Sequence, residues 1–236
     1  MTEQMRMFTE IGFNICYLIF IWTLVIIMAR NFAVVTPGKM REAKLYVYGF
    51  FLLAFGDTGH VGFRVWAYSL GSLESRIHLG SLSIPLVGAG ALATAITVAI
   101  LYLLMLEAWR IRNRTNQNQV YWILMVIGAA RFIIMLFPQN NWRSIVPPLG
   151  WSLARNIPLI IVGLGLAVLY LQKAARNSDQ FQKKMGIWIL VSYGFYLPVI
   201  LFVQAVPLIG MLMIPKTIAY LFMALNVRKE FFKGGD

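Results

Sequence analysis

Residues 45–70 read LYVYGFFLLAFGDTGHVGFRVWAYSL, and the fold turns on how this stretch is placed. Its first half, Leu45–Phe55, is apolar without a break, while its second half carries Asp57, His60 and Arg64. The length suits a membrane span, which needs roughly 20 predominantly apolar residues. The spacing i, i+3, i+7 puts all three ionisable side chains on one face of a helix. Ionisable groups at bilayer depth are costly and persist where they face protein, water or one another. An acid, a titratable base and a permanent cation on one stripe therefore mark a functional face.

Six further apolar stretches surround this one: Ile11–Arg30, Leu82–Leu106, Val120–Phe137, Ile157–Leu171, Gly186–Gln204 and Val206–Val227. The chain is 59% hydrophobic, against about 45–50% in soluble domains, and the excess is gathered into these blocks. Charged residues, only 13% of the chain, sit mostly between them. The expected fold is an all-α integral membrane protein, a seven-transmembrane-helix bundle forming a single domain over residues 1–236. Residues Met1–Glu10 lack a basic n-region and no A-x-A site follows, so the first span reads as mature protein rather than as a signal peptide.

Orientation follows from the loops. Arg30, Lys39, Arg41 and Lys44 separate the first two spans, and Arg110, Arg112 and Arg114 separate the third and fourth. Lys173, Arg176, Lys183 and Lys184 separate the fifth and sixth, and Arg228, Lys229 and Lys233 follow the seventh. The alternate side carries only Arg6, Arg76, Arg143 and Arg155. Cytoplasmic loops hold the excess of Lys and Arg, so the N-terminus is expected outside and the C-terminus in the cytoplasm, with the plasma membrane as the expected location. The formal charge of +12 is then a matter of topology and anionic membrane lipids rather than of nucleic acid. Nine residues follow Val227, too few for an effector module. A signal would pass through a separate signalling subunit, a homo-oligomer or a permeating solute.

Counting at 1.5 Å per residue from the span ends places the polar groups in depth. Asp57 and Lys216 fall near the middle, with His60 slightly outside it and Arg64 and Arg131 in the outer half. Tyr196 is central and Asn14 lies near the outer face. These seven residues are the expected ligand-binding set. Asp57 and His60 would carry protons, and Arg64, Arg131 and Lys216 would hold anionic groups. Asp57 is expected to pair with Arg131 or Lys216 from another helix, since an unpaired carboxylate there would protonate. The charge balance favours a small anionic or amphipathic, lipid-like ligand in a pocket open to the outside, as in a transporter or a receptor.

Smaller signals accompany these. Glycines 56, 59 and 62 thin one side of the second span, and Ala89, Ala93 and Thr97 beside Gly88 and Gly90 form a small-xxx-small face on the third. Pro198 and Pro215 predict kinks. The connection Pro138–Asn156, with Trp142 and Trp151, reads as a long outer loop or lid at headgroup level. The single cysteine, Cys16, reads as a small core residue.

Other chemistries fit less well. A catalytic zinc needs three protein ligands, and the chain has two histidines, His60 and His78, with no HExxH. No metal or other cofactor is expected. An intramembrane enzyme acting on a lipid or isoprenoid is the alternative, with Asp57 and His60 as acid and base. Seven spans with an external N-terminus match the topology of rhodopsins and G-protein-coupled receptors, and Lys216 would sit where a retinal Schiff base sits. The third span, however, lacks a carboxylate counter-ion, and no receptor motif is present; shared topology does not carry function.

Overall fold

Seven long helices run in sequence, joined by short turns and one hairpin: α1 (Glu3–Arg30), α2 (Met40–Ser69), β1 (Arg76–Leu79), β2 (Leu82–Pro85), α3 (Leu86–Asn113), α4 (Gln119–Leu136), α5 (Leu149–Asn177), α6 (Gln180–Phe202) and α7 (Met213–Phe231). The computed structural model describes residues 3–79, 82–115, 119–142, 144 and 146–232. Two of the loop cations, Arg143 and Lys233, lie outside the described residues.

Among the described residues six helices are long and apolar enough to cross a membrane, namely all except α2. They define a polytopic integral membrane protein. The surface agrees: Ile19 is 65% exposed, Val126 66%, Ile133 62% and Leu136 82%, an outward apolar face that lipid rather than water satisfies. Helices are the expected form, because backbone groups in hydrocarbon must bond within their own segment. Turns close them by local chemistry. Ser178 adopts a left-handed conformation, φ 52°, at the end of α5, and Asp179 caps α6 by accepting from the Gln182 backbone N–H at 3.1 Å.

The small-residue faces do pack together, and α2 and α3 share the most extensive contact in the bundle. Gly56 lies directly against the Thr97 side chain, where a Cβ would collide. A Cβ on Gly90 would stand 2.9 Å from the Cα of His60. Close backbone approach of this kind supplies dispersion contact in lipid, where no hydrophobic drive exists between helices. Of the second-span glycines, Gly62 faces open space.

The core is rich in tyrosine. Tyr46 and Tyr170 share a hydroxyl–hydroxyl bond of 2.6 Å, Tyr170 also reaches the Met105 carbonyl at 3.2 Å, and Tyr102 and Tyr220 meet at 3.4 Å. All four are buried, so each polar tip has a partner where water is excluded.

Several boundaries move. Residues Leu82–Pro85, expected to open the third span, form β2 and pair with β1 in a two-stranded antiparallel hairpin. The alternation LSIP suits a pleat, and α3 starts after Pro85. The outer connection is shorter than expected, because Leu149–Asn156 already belong to α5, with Pro148 before its first turn. The seventh segment is a 3-10 turn, Pro207–Leu212, followed by α7. Pro215 therefore stands in the first turn of α7, where a missing N–H costs nothing, rather than kinking a helix interior. Cys16 is exposed rather than buried, because α1 packs through Tyr17, Ile21, Leu24 and Met28 on its other face.

Candidate functional site

Asp57 sits where three helices meet. Tyr17 of α1 donates to one carboxylate oxygen at 2.8 Å and Thr94 of α3 to the other at 2.7 Å. The expected ion pair is therefore not formed: among the described residues no Lys or Arg nitrogen lies within 4.0 Å of this carboxylate. Two hydroxyls do the work of a cation without its desolvation cost. Lys216 remains an electrostatic neighbour of Asp57 and of Arg131. Its ammonium lies 4.1 Å from the centre of the Tyr196 ring and 5.5 Å from that of Tyr220, so the aromatic faces supply its attraction. Lys216 is 8% exposed and turns into the bundle.

One turn along α2, His60 and Arg64 line a cleft with Asn14 and Ile11 of α1 and with Tyr68. The cleft is small, ≈ 40 Å³, about the space of a water molecule or two. The Nδ1 atom of His60 is buried and makes no hydrogen bond of good geometry, although the imidazole lies close to the Gly90 backbone. The expected residues Asn14, His60 and Arg64 are thus brought together, and Asp57 follows directly below them.

Arg131 does not reach this cleft. It is 3% exposed on α4, and its Nε donates to the Arg155 carbonyl at 2.9 Å. Tyr196 links the two regions, with its ring under Lys216 and its hydroxyl donating to Asn156 Oδ1 at 3.0 Å. The candidate residues accordingly form a belt from the α1–α2 cleft, through Asp57, Lys216 and Tyr196, to the α4–α5 contact. The belt holds one carboxylate and a clear excess of positive charge. Ser192 is buried among the Tyr102 and Tyr220 hydroxyls and shows no bond to His60. Among the described residues no cluster of His, Cys, Asp or Glu could hold a metal ion.

A second polar centre, absent from the expected set, lies at the opposite ends of the helices. The Arg112 guanidinium bonds Asp179 at 2.9 Å, Glu230 at 2.9 Å and Glu42 at 3.2 Å, and Lys39 bonds Glu230 at 3.0 Å. Phe181 lies under the guanidinium at 4.6 Å. This arrangement ties α2, α3, the α5–α6 turn and α7 together. Glu42, which precedes the 45–70 stretch, is pushed up to about 7 because burial outweighs the neighbouring Arg112. In Asp179 burial also works upward, but the bonds from Arg112 and Gln182 prevail and hold it below its ordinary value.

Comparison with protein-family models, curated proteins and solved structures finds no match.

Proposed function

We propose that this protein crosses the membrane seven times, with α2 as the additional span, and binds a small anionic or amphipathic, lipid-like ligand in a polar pocket open to the outside, as a transporter or a receptor does. The distribution of loop cations supports an external N-terminus, a cytoplasmic C-terminus and residence in the plasma membrane. The observation that carries the reading is the polar lining of the cleft, which at ≈ 40 Å³ admits only the tip of a ligand. Asn14, His60 and Arg64 converge between α1 and α2, with an unpartnered imidazole nitrogen on the way to Asp57. Buried polar atoms without partners are costly, and a ligand supplies partners. In this reading Arg64 meets the anionic group, Asn14 and His60 orient it, and Lys216, Arg131 and Tyr196 set the positive potential beyond.

The test is native mass spectrometry of the full chain released from nanodiscs, followed by uptake measurements in liposomes for whatever co-purifies. A bound small molecule or lipid that is lost in both His60→Gln and Arg64→Gln supports the pocket. Identical bound species in wild type and both variants would exclude it.

One observation favours the alternative of an intramembrane enzyme acting on a lipid or isoprenoid. The free His60 Nδ1 is the kind of base such chemistry needs. Conversion of a co-purified lipid during incubation, abolished by His60→Gln, distinguishes turnover from binding.

A further inference from the structure

Two arginines meet on α4 and α5 with no carboxylate among the described residues to neutralise them. Arg131, almost fully buried, spends its Nε on the Arg155 carbonyl and leaves Nη1 buried without a partner. Arg155 likewise leaves its Nη1 buried and unpartnered. The two charges lie within electrostatic reach of each other, and the other groups around them are tyrosines, Tyr196 for both with Tyr193 and Tyr220 for Arg131, and a further cation beside Arg131, Lys216. Among the described residues no carboxylate contributes to either.

The surroundings are built rather than loose. Arg155 stacks on the Trp142 ring at 4.4 Å, and the Trp142 indole N–H is fixed to the Met135 carbonyl at the end of α4 at 3.1 Å. Stacking holds the guanidinium plane in place and leaves its edge free to donate. On the other side, Asn156 orients the Tyr196 hydroxyl.

Like charges in a medium of low dielectric repel strongly. Each idle N–H also stays without the hydrogen bond it would make in water. A water molecule would satisfy the N–H groups but leave the repulsion. An anion with at least two oxygen atoms satisfies both, through short charge-assisted bonds to two guanidinium groups at once. We infer that Arg131 and Arg155 form an oxoanion site between α4 and α5, on helices other than those of the α1–α2 cleft, which receives a phosphate group. The group comes either from an anionic phospholipid, since Trp142 suits headgroup level, or from free phosphate.

The experiment uses the full chain in nanodiscs of neutral phosphatidylcholine and reads the unfolding temperature. One arm adds inorganic phosphate at constant ionic strength, and the other replaces part of the lipid with phosphatidylglycerol. A ligand that binds the folded state raises the transition according to its occupancy. The expected result is a rise of several degrees in at least one arm, and the responding arm identifies the source. Arg155→Gln should abolish the rise. Without added anion this variant should be at least as stable as wild type, because the repulsion is relieved. Arg64→Gln, in the cleft, should keep the full rise, so this inference and the proposed pocket can fail separately. Arg131→Gln changes a more deeply buried group, and the half-buried Arg155 keeps the test readable if that variant does not fold. No rise in either arm, or an equal rise in Arg155→Gln, overturns the site.

Discussion

Tyr17 donates its phenolic hydrogen to Asp57 across the α1–α2 contact at 2.8 Å, and Thr94 completes the carboxylate from α3 at 2.7 Å. The acid thereby joins three helices without an ion pair, which leaves the cations of the belt without a bonded carboxylate among the described residues. Tyr17→Phe and Thr94→Val each leave one carboxylate oxygen without its donor. Each should cost about 1–3 kcal/mol, the usual penalty for an abandoned buried partner of a charged group. In the Asp57→Asn background both substitutions should cost much less. A double-mutant cycle read by thermal unfolding in detergent measures that difference. Additive costs would show that Asp57 is not the shared acceptor.

Arg112 joins more elements than any other side chain at the opposite end, with three carboxylates on one guanidinium. Removing one partner of a buried ionic network leaves the rest uncompensated, at about 3–5 kcal/mol. Arg112→Ala should therefore lower the unfolding transition strongly. Arg112→Lys should recover only part of the loss, because an ammonium on a flexible stem cannot reproduce a planar three-way fork. Glu42→Gln, which keeps an acceptor and mimics the protonated acid, should be nearly neutral below about pH 5 and at least as stable as wild type above about pH 7. Equal stability of Arg112→Ala and wild type in chemical unfolding would show that the network is ornamental.

The same network carries a pH dependence with a defined sign. The folded-state value of Glu42, about 7, stands above its ordinary 4.5, so the folded protein holds this proton more tightly than the unfolded chain. Its contribution to stability is complete below pH 4.5 and is lost as the pH rises through 7. Asp179 has the opposite sense. Held below 3.8, it stabilises above that pH, and its contribution is lost only as the pH falls further. Between about pH 5 and about pH 8 the Glu42 part of the slope is the difference between wild type and Glu42→Gln. At constant salt, the unfolding temperature of wild type relative to Glu42→Gln should decline with pH across this window.

Much of this fold was legible because lipid imposes simple rules. Apolar length placed the helices, and the small residues at 56–59 and 88–97 marked two thinned faces without showing that they meet each other. The boundaries failed where a different period took over. LSIP is too short and too alternating to be told from the start of an apolar helix until its partner strand at 76–79 is seen. Arg155 was counted as a loop cation because proline and tryptophan pulled the loop reading as far as Asn156. Helical spacing of the apolar residues in LGWSLARNI was the available signal that α5 begins sooner. Tyr17 gave no signal of its own, since an aromatic residue in a span reads equally as packing, and only helix rotation brings it to Asp57. Arg112 was read as topology alone. Its acids stand at helix ends far apart in sequence, at 42, 179 and 230, and nothing local predicts their meeting.

Lys216 offers the sharpest division between structure and function. It stands in the first turn of α7 after Pro215, 8% exposed, with its ammonium over Tyr196 at 4.1 Å and, among the described residues, without a carboxylate within 4.0 Å. A buried cation held by ring faces gains on the order of 2 kcal/mol from each and gives up its hydration. Lys216→Met, which keeps the volume and drops the charge, should therefore fold and unfold at least as stably as wild type. The positive potential beside Asp57 and Tyr196 would be gone, so an anionic ligand should bind at least tenfold more weakly, about 1.4 kcal/mol. Tyr196→Leu should weaken binding in the same direction by removing the surface on which the amine rests. A retinal Schiff base makes a different prediction for the same residue, namely visible absorbance of the purified protein that Lys216→Met abolishes. Destabilisation by Lys216→Met together with unchanged ligand binding would assign this lysine to packing, and the pocket would then rest on Asn14, His60 and Arg64.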